Sequence, residues 1–150
     1  MGRARAGTVL PVTLSGLGWA GQKAPSLDDF EALAAQAHAD LPAAFRELTG
    51  EVLLRVSDFP EQDVLDELGM LSPFDLLGLF QGIGLAHDGM VAQTGQLPNM
   101  VWLYRRPILD YWAEHDETLD GIVRHVLVHE IGHHFGLSDE DMESIEAAAG

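Results

Sequence analysis

The residues whose types and spacing could do chemistry lie near the C-terminal end of the chain, in the run from Val128 to Asp139, VHEIGHHFGLSD. His129 and His133 stand four apart and Glu130 follows the first of them. Gly136 and Asp139 complete the pattern H-E-x-x-H-x-x-G-x-x-D. On a helix, residues four apart lie one above the other on one face, so both imidazoles can converge on a single ion. Catalytic zinc takes three protein ligands and keeps a fourth position for water, and Glu130, about 100° round the helix, can reach that water without being a ligand. A helix ending at Phe135, with Gly136 in the left-handed conformation, turns the chain sharply and brings Asp139 back toward the ion. The spacing therefore nominates His129, His133 and Asp139 as ligands of one Zn²⁺ per chain and Glu130 as general base. Glu143 and Glu146 are rivals to Asp139 for the third ligand position.

The element that must carry this set is a helix over about residues 119–135, capped by Asp116 or Thr118. Ile122, Val126, His129 and His133 recur at helical spacing, so the histidines continue an inward stripe. Val123, Leu127, Val128 and Ile131 spread apolar surface round the other sides. A helix apolar nearly all round is buried, and imidazoles on its inner stripe then need a partner for their nitrogens. A metal ion is one such partner and protein hydrogen bonds are the other. His125, one turn before His129, is either a group behind the ligands or a packed side chain; His134 points away from them. Ser138 and Asp141 can cap a final helix carrying Met142 and Ile145.

The run HEIGHHFGLSD resembles the zincin metallopeptidases, and its H-x-x-G-x-x-D continuation is similar to the branch in which an aspartate replaces the third metzincin histidine. The helical region from Phe30 to Leu48, the DLLGLFQG segment from Asp75, the LPNMVWLYRRPI segment from Leu97 and the terminal motif together resemble a family of small bacterial metallopeptidases with a minimal zincin fold. That likeness spans about residues 26 to 146. It implies a zinc site and a peptide or protein substrate. In zincins an edge strand beside the catalytic helix takes up extended substrate by main-chain pairing, and the resemblance assigns that role to Val101, Trp102, Leu103, Tyr104 and Arg105. Strand composition alone reads the same stretch as a plain structural strand. No Met-turn can be assigned, since Met142 lies too close to the motif.

The remaining segments have to build the body that positions the helix. Ser26 and Asp29 form a capping-box pattern ahead of Phe30, Leu33, Ala37 and Leu41, which gives a helix of about 14 residues. A second short helix is expected from Pro42 to Leu48 with Phe45 and Leu48 inward, and His38 facing solvent. Strands are expected at 51–57, 76–81 and 100–105, and a helical turn at 61–68 with Val64, Leu65 and Leu68 inward. Gly78 marks a bulge or a close backbone approach. Gln81 to Asn99 is a long glycine-rich loop containing His87 and Asp88, a candidate rim for a site. Pro107 opens a helix that ends near His115. Residues 1–25 read as a flexible extension, or as an arm packing Leu10, Leu14, Leu17 or Trp19 on the body. The expected architecture is thus α+β: one zincin-like domain over 26–150, with a small mixed or antiparallel three-stranded sheet packed on an N-terminal helix and the buried histidine helix.

With 150 residues the chain fits one core. It has no cysteine, so a metal must be held by histidine and carboxylate, which suits catalysis better than structural zinc. The formal charge of −16 argues against nucleic acid and anionic membrane surfaces as partners. No apolar run approaches the roughly 20 residues that span a bilayer. The N-terminal stretch is a poor match to a signal peptide, and a cytoplasmic location is expected. The function these features favour is a zinc-dependent hydrolase acting on peptide bonds. The alternative is a non-catalytic zinc-binding module that recruits a peptide or regulates a partner, for which Glu130 would be superfluous. A third reading is an accessory acidic protein in which the motif is incidental.

Overall fold

The computed structural model describes residues 17–82 and 99–149. A short 3₁₀ turn at Gly18–Gly21 precedes helix α1 at Leu27–Ala39 and helix α2 at Ala43–Thr49. Strand β1 is Val52–Ser57, helix α3 is Gln62–Leu68, and a 3₁₀ turn at Pro73–Asp75 leads into strand β2 at Gly78–Gln81. Strand β3 is Asn99–Tyr104, followed by α4 at Arg105–Glu114, α5 at Leu119–His134 and α6 at Asp139–Ala149. Local sequence explains most of these boundaries. Ser26 and Asp29 exchange backbone hydrogen bonds in a capping box that starts α1. Thr118 accepts from the Gly121 amide at the start of α5. Ser138 and Asp141 form a second capping box ahead of α6.

The three strands make a mixed sheet in the order β1-β3-β2, with β1 parallel and β2 antiparallel to β3. The domain is therefore α+β with a small three-stranded sheet. Strand β3 is its centre: Val52 to Ser57 pair with Asn99 to Tyr104 on one side, and Gly78 to Gln81 pair with Leu103 to Met100 on the other. This corrects the edge-strand role expected for Val101, Trp102, Leu103, Tyr104 and Arg105. The main chain of the first four is committed on both sides, and Arg105 is the first residue of α4. Its guanidinium donates to the Pro25 carbonyl (2.6 Å) and to Asp58 (2.9 Å), tying the entrance of α1 to the exit of β1. Rich β-branched and aromatic content marks a strand that packs on every side, which a central strand does. Among the described residues, the strand that lies against α5 and has an unpaired edge is β2.

Alternation along β3 divides the interior. Val101 and Leu103 point into the main core with Phe30, Ala34, Ile108, Ile122, Val123, Leu127 and Ile131. Trp102 and Tyr104 point to the opposite face, against Leu65 and Leu76. Several side chains depart from expectation. In α2 the buried line is Phe45 and Thr49, and Leu48 lies exposed on the flank. Leu68 of α3 is exposed while Leu65 is buried. His38 is half-buried; burial, with Arg46 nearby, pushes its imidazole below the usual value. Helix α4 begins at Arg105, two residues before Pro107. Leu17 and Trp19 are exposed and do not form a packed arm. Leu10, Leu14, His87, Asp88 and most of the long loop expected at 81–99 lie outside the described residues.

Gly78 is required by a close approach. A Cβ there would stand 2.6 Å from Val126 Cγ1 and 3.0 Å from the Trp102 carbonyl oxygen, with Glu130 Cγ at 3.5 Å. Neither of the two nearest atoms is the free end of a flexible side chain, so β2 reaches α5 only because residue 78 has no side chain. Gly78→Ala should destabilise the fold by about 1–3 kcal/mol, the usual cost of overpacking, read as a lower midpoint in urea unfolding.

The Tyr104 phenol is held neutral by burial first, then by the Glu61 and Glu130 carboxylates, which together push its pKa up to about 12. An unfolded tyrosine ionises near pH 10. Between these values the folded chain keeps a proton that the unfolded chain loses, so this contribution to stability is complete below about pH 10 and is lost as pH rises to about 12. Unfolding free energies measured across that window should fall more steeply for the wild type than for Tyr104→Phe.

Candidate metal centre

Helix α5 is buried along Ile122, Val123, Val126, Leu127, Val128, Ile131 and Gly132, packed on α1, α4, α6, β2 and β3. Its exposed strip carries His125, His129 and His133, one per turn. Ring centroids of the first two are 3.9 Å apart and of the second two 5.6 Å. The helix ends as its sequence suggests. Gly136 sits at φ 77°, the Leu137 amide donates to the Gly132 carbonyl (2.9 Å), and the Gly136 amide donates to the His133 carbonyl (3.1 Å), the paired bonds of a Schellman turn. This reversal sends α6 back along α5. Contact between the two is close because residue 132 is glycine: a Cβ there would fall 2.5 Å from Met142 Sδ.

Returning this way, α6 brings two carboxylates to the histidine ladder. Asp139, in its first turn, places Oδ1 4.0 Å from His133 Nε2, and single donor atoms of His129, His133 and Asp139 all lie within 4.8 Å of one another. Two imidazoles and a carboxylate are donors that zinc accepts, so these residues suit the ion implied by the motif. The set is open to solvent on one side, with the Asp139 side chain 89% and His133 61% exposed. Two turns further along α6, Glu146 accepts from His129 Nε2 at 3.2 Å and meets His125 Nδ1 at 3.0 Å. Glu143, the other rival for the third ligand position, is exposed and belongs to neither donor group found among the described residues. His134 stacks on Phe80 (4.1 Å between centroids), turned away from the ladder.

Glu130 stands on the β2 side of the ladder. Burial pushes its carboxyl above the usual carboxylate range, while the charge of His133 and a hydrogen bond from the Phe80 backbone amide pull the other way. A cleft of about 420 Å³ runs past it, lined by Leu76, Leu77 and Gly78 on one wall, Ile122, Val126, His129 and Glu130 on another, and Tyr111 of α4 across from them. Tyr111 is the group on this cleft that could face a developing oxyanion. Tyr104 is on the other face of the sheet, and Arg106 lies over the Phe59 ring (5.3 Å).

The histidines were expected to continue the inward stripe of Ile122 and Val126; His133 is instead exposed and His129 half-buried, and two further residues were understated. His125 is drawn to the ladder through Glu146, and Glu146 engages Nε2 of His129. The available signals were the four-residue spacing of His125 from His129 and the seven-residue spacing of Glu146 from Asp139, two turns along one helix face. A search of curated proteins finds no match. A family model described as zincin-like metallopeptidase matches residues 49–149, which is 101 of the 150 residues. The matched stretch runs from the edge of β1 to the end of α6 and includes every element that forms the histidine ladder, the returning carboxylates and the cleft, so the chain belongs to the zincin-like metallopeptidase family.

Proposed function

We propose that the protein is a zinc-dependent peptidase in which His129, His133 and Asp139 hold the ion and Glu130 moves the proton. The observation that carries this reading is the convergence of those three donors beside a half-buried glutamate on the wall of a cleft. Zinc bound there would polarise a peptide carbonyl and lower the pKa of a water molecule. Glu130 does the rest of the proton work: its desolvated carboxylate accepts a proton from the attacking water and returns it to the leaving amine. The Phe80 amide fixes the direction in which that carboxylate points.

Substrate is positioned by β2. The Tyr104 amide donates to the Leu77 carbonyl (3.0 Å), so Leu77 turns toward β3 and the alternate residues Gly78 and Phe80 turn their backbone groups outward, the Phe80 amide to Glu130. An extended peptide laid along that edge passes Glu130. The apolar cleft wall of Leu76, Leu77, Ile122 and Val126 suits an apolar side chain, and the charge of −16 favours neutral or basic peptides over acidic ones.

Glu130→Gln keeps the shape of the site and removes the base. Hydrolysis of a peptide library should fall by about 10²–10⁴ while zinc content by elemental analysis stays unchanged. A wild-type protein that binds peptides without cleaving them, and does so equally well as Glu130→Gln, would favour the non-catalytic zinc module instead. His133→Ala should likewise abolish hydrolysis, measured on the same library.

A further inference from the structure

His129 belongs to two donor sets. Besides His133 and Asp139, it groups with His125 and Glu146, whose ligand atoms also lie within 4.8 Å of one another. We propose that His125 Nδ1, His129 Nε2 and the Glu146 carboxylate form a second zinc position, one helical turn from the first and exclusive of it.

The geometry of the second set is the tighter of the two. A tetrahedral ion with bonds of about 2.0–2.1 Å holds its donors roughly 3.3 Å apart. Glu146 meets His125 Nδ1 with Oε1 at 3.0 Å and His129 Nε2 with Oε2 at 3.2 Å, so each imidazole already has a carboxylate oxygen near that spacing. Asp139, at 4.0 Å from His133 Nε2, has to close in by several tenths of an ångström. The second set is also the less exposed. Beside the shared His129, its side chains are 55% (His125) and 22% (Glu146) exposed, against 61% and 89% for His133 and Asp139, and Glu146 is carried on a helix held by the contact of Gly132 with Met142. Two imidazoles one turn apart with a carboxylate from a second element is the same donor chemistry that the first set offers, and zinc accepts it.

Both sets require the His129 imidazole, and its Nε2 already faces Glu146 at 3.2 Å. The proposed exclusion is that an ion held there with His125 and Glu146 takes His129 away from His133 and Asp139, which then cannot complete their own set. The chain then carries zinc in a position one turn away from that completed by His133 and Asp139. Which fraction of chains is productive depends on the relative affinities of the two sets, and Glu146 is the residue that biases the partition. The second position is tested by metal retention alone, whereas the bias assigned to Glu146 rests on the peptidase reading.

The test compares zinc content, by elemental analysis after exchange into metal-free buffer, across three variants loaded with zinc alone. The double variant His133→Ala, Asp139→Ala removes two exposed side chains and leaves the core intact. It should keep about one zinc per chain, as should His125→Ala, Glu146→Gln; all four substitutions together should lose it. A metal-free His133→Ala, Asp139→Ala variant overturns the second position and leaves the first set as the only holder. Zinc retained there but lost from His125→Ala, Glu146→Gln supports the second position and removes the ligand set proposed for catalysis. A wild type that takes up no zinc, or a fourfold variant that still holds it as tightly as wild type, overturns the proposal. Glu146→Gln alone should also raise the rate of peptide hydrolysis per zinc bound, because it shifts the ion toward His133 and Asp139; an unchanged rate per zinc overturns the bias assigned to Glu146.

Discussion

Everything in this fold depends on holding α5 buried on most of its circumference while leaving one narrow strip open. The strip carries three imidazoles and borders a carboxylate, and such groups are costly to bury without partners. The rest of the circumference is Val, Leu and Ile, each worth roughly 1.5–3 kcal/mol when fully removed from water. That driving force seats the helix, but two neighbours must come close enough to fix it against rotation. Both do so where a side chain is missing, β2 at its own Gly78 and α6 at Gly132 of α5. A rotation that buried the histidines would have to push Val126 into the β2 backbone and open the Met142 contact.

The turn at Gly136 converts this rigid strip into a site. Because the helix is closed by a left-handed glycine, α6 runs antiparallel to α5, and residues spaced along one helix meet residues spaced along the other in reverse order. Asp139, near the turn, comes to the level of His133, and Glu146, seven residues on, comes to the level of His129 and His125. A single packed helix pair thus presents carboxylates at two heights along one histidine ladder. The donor cluster is a product of one turn, one helix contact, the four-residue spacing of the histidines and the seven-residue spacing of Asp139 and Glu146.

That economy explains what was legible from the sequence. The histidine pair, the glutamate, the left-handed glycine and the capping boxes at Ser26 and Ser138 are all local signals, and local hydrogen bonding determines them in the structure. The α+β class follows from periodicity in the same way. The position of β3 could not be read, because strand order is fixed by pairing between segments some fifty residues apart in the chain, here Val52–Ser57 with Asn99–Tyr104. The role of Glu146 was hidden for a related reason. Its spacing from Asp139 gives the face of α6, whereas its meeting with His129 depends on the separation of α5 and α6, which Gly132 and Met142 set through packing. Leu48 and Leu68 were misread because each short helix has one buried line, and with only seven residues the sequence does not say which of two adjacent lines it is.

The choice of donors also bears on Glu130. In the proposed set, aspartate stands where a third imidazole could have been, and its negative charge leaves the neighbourhood of Glu130 less positive. Desolvation is the first cause of the raised proton affinity of Glu130. The His133 charge and the Phe80 amide oppose it, and without that opposition a buried carboxyl would hold its proton too firmly to act as a base. A general base works best when its affinity for the proton lies between that of a free carboxylate and that of the groups it must serve. In Glu130, burial raises the affinity for the proton while the His133 charge and the Phe80 amide of β2 oppose that rise, so one strand both narrows the cleft and tethers the carboxylate.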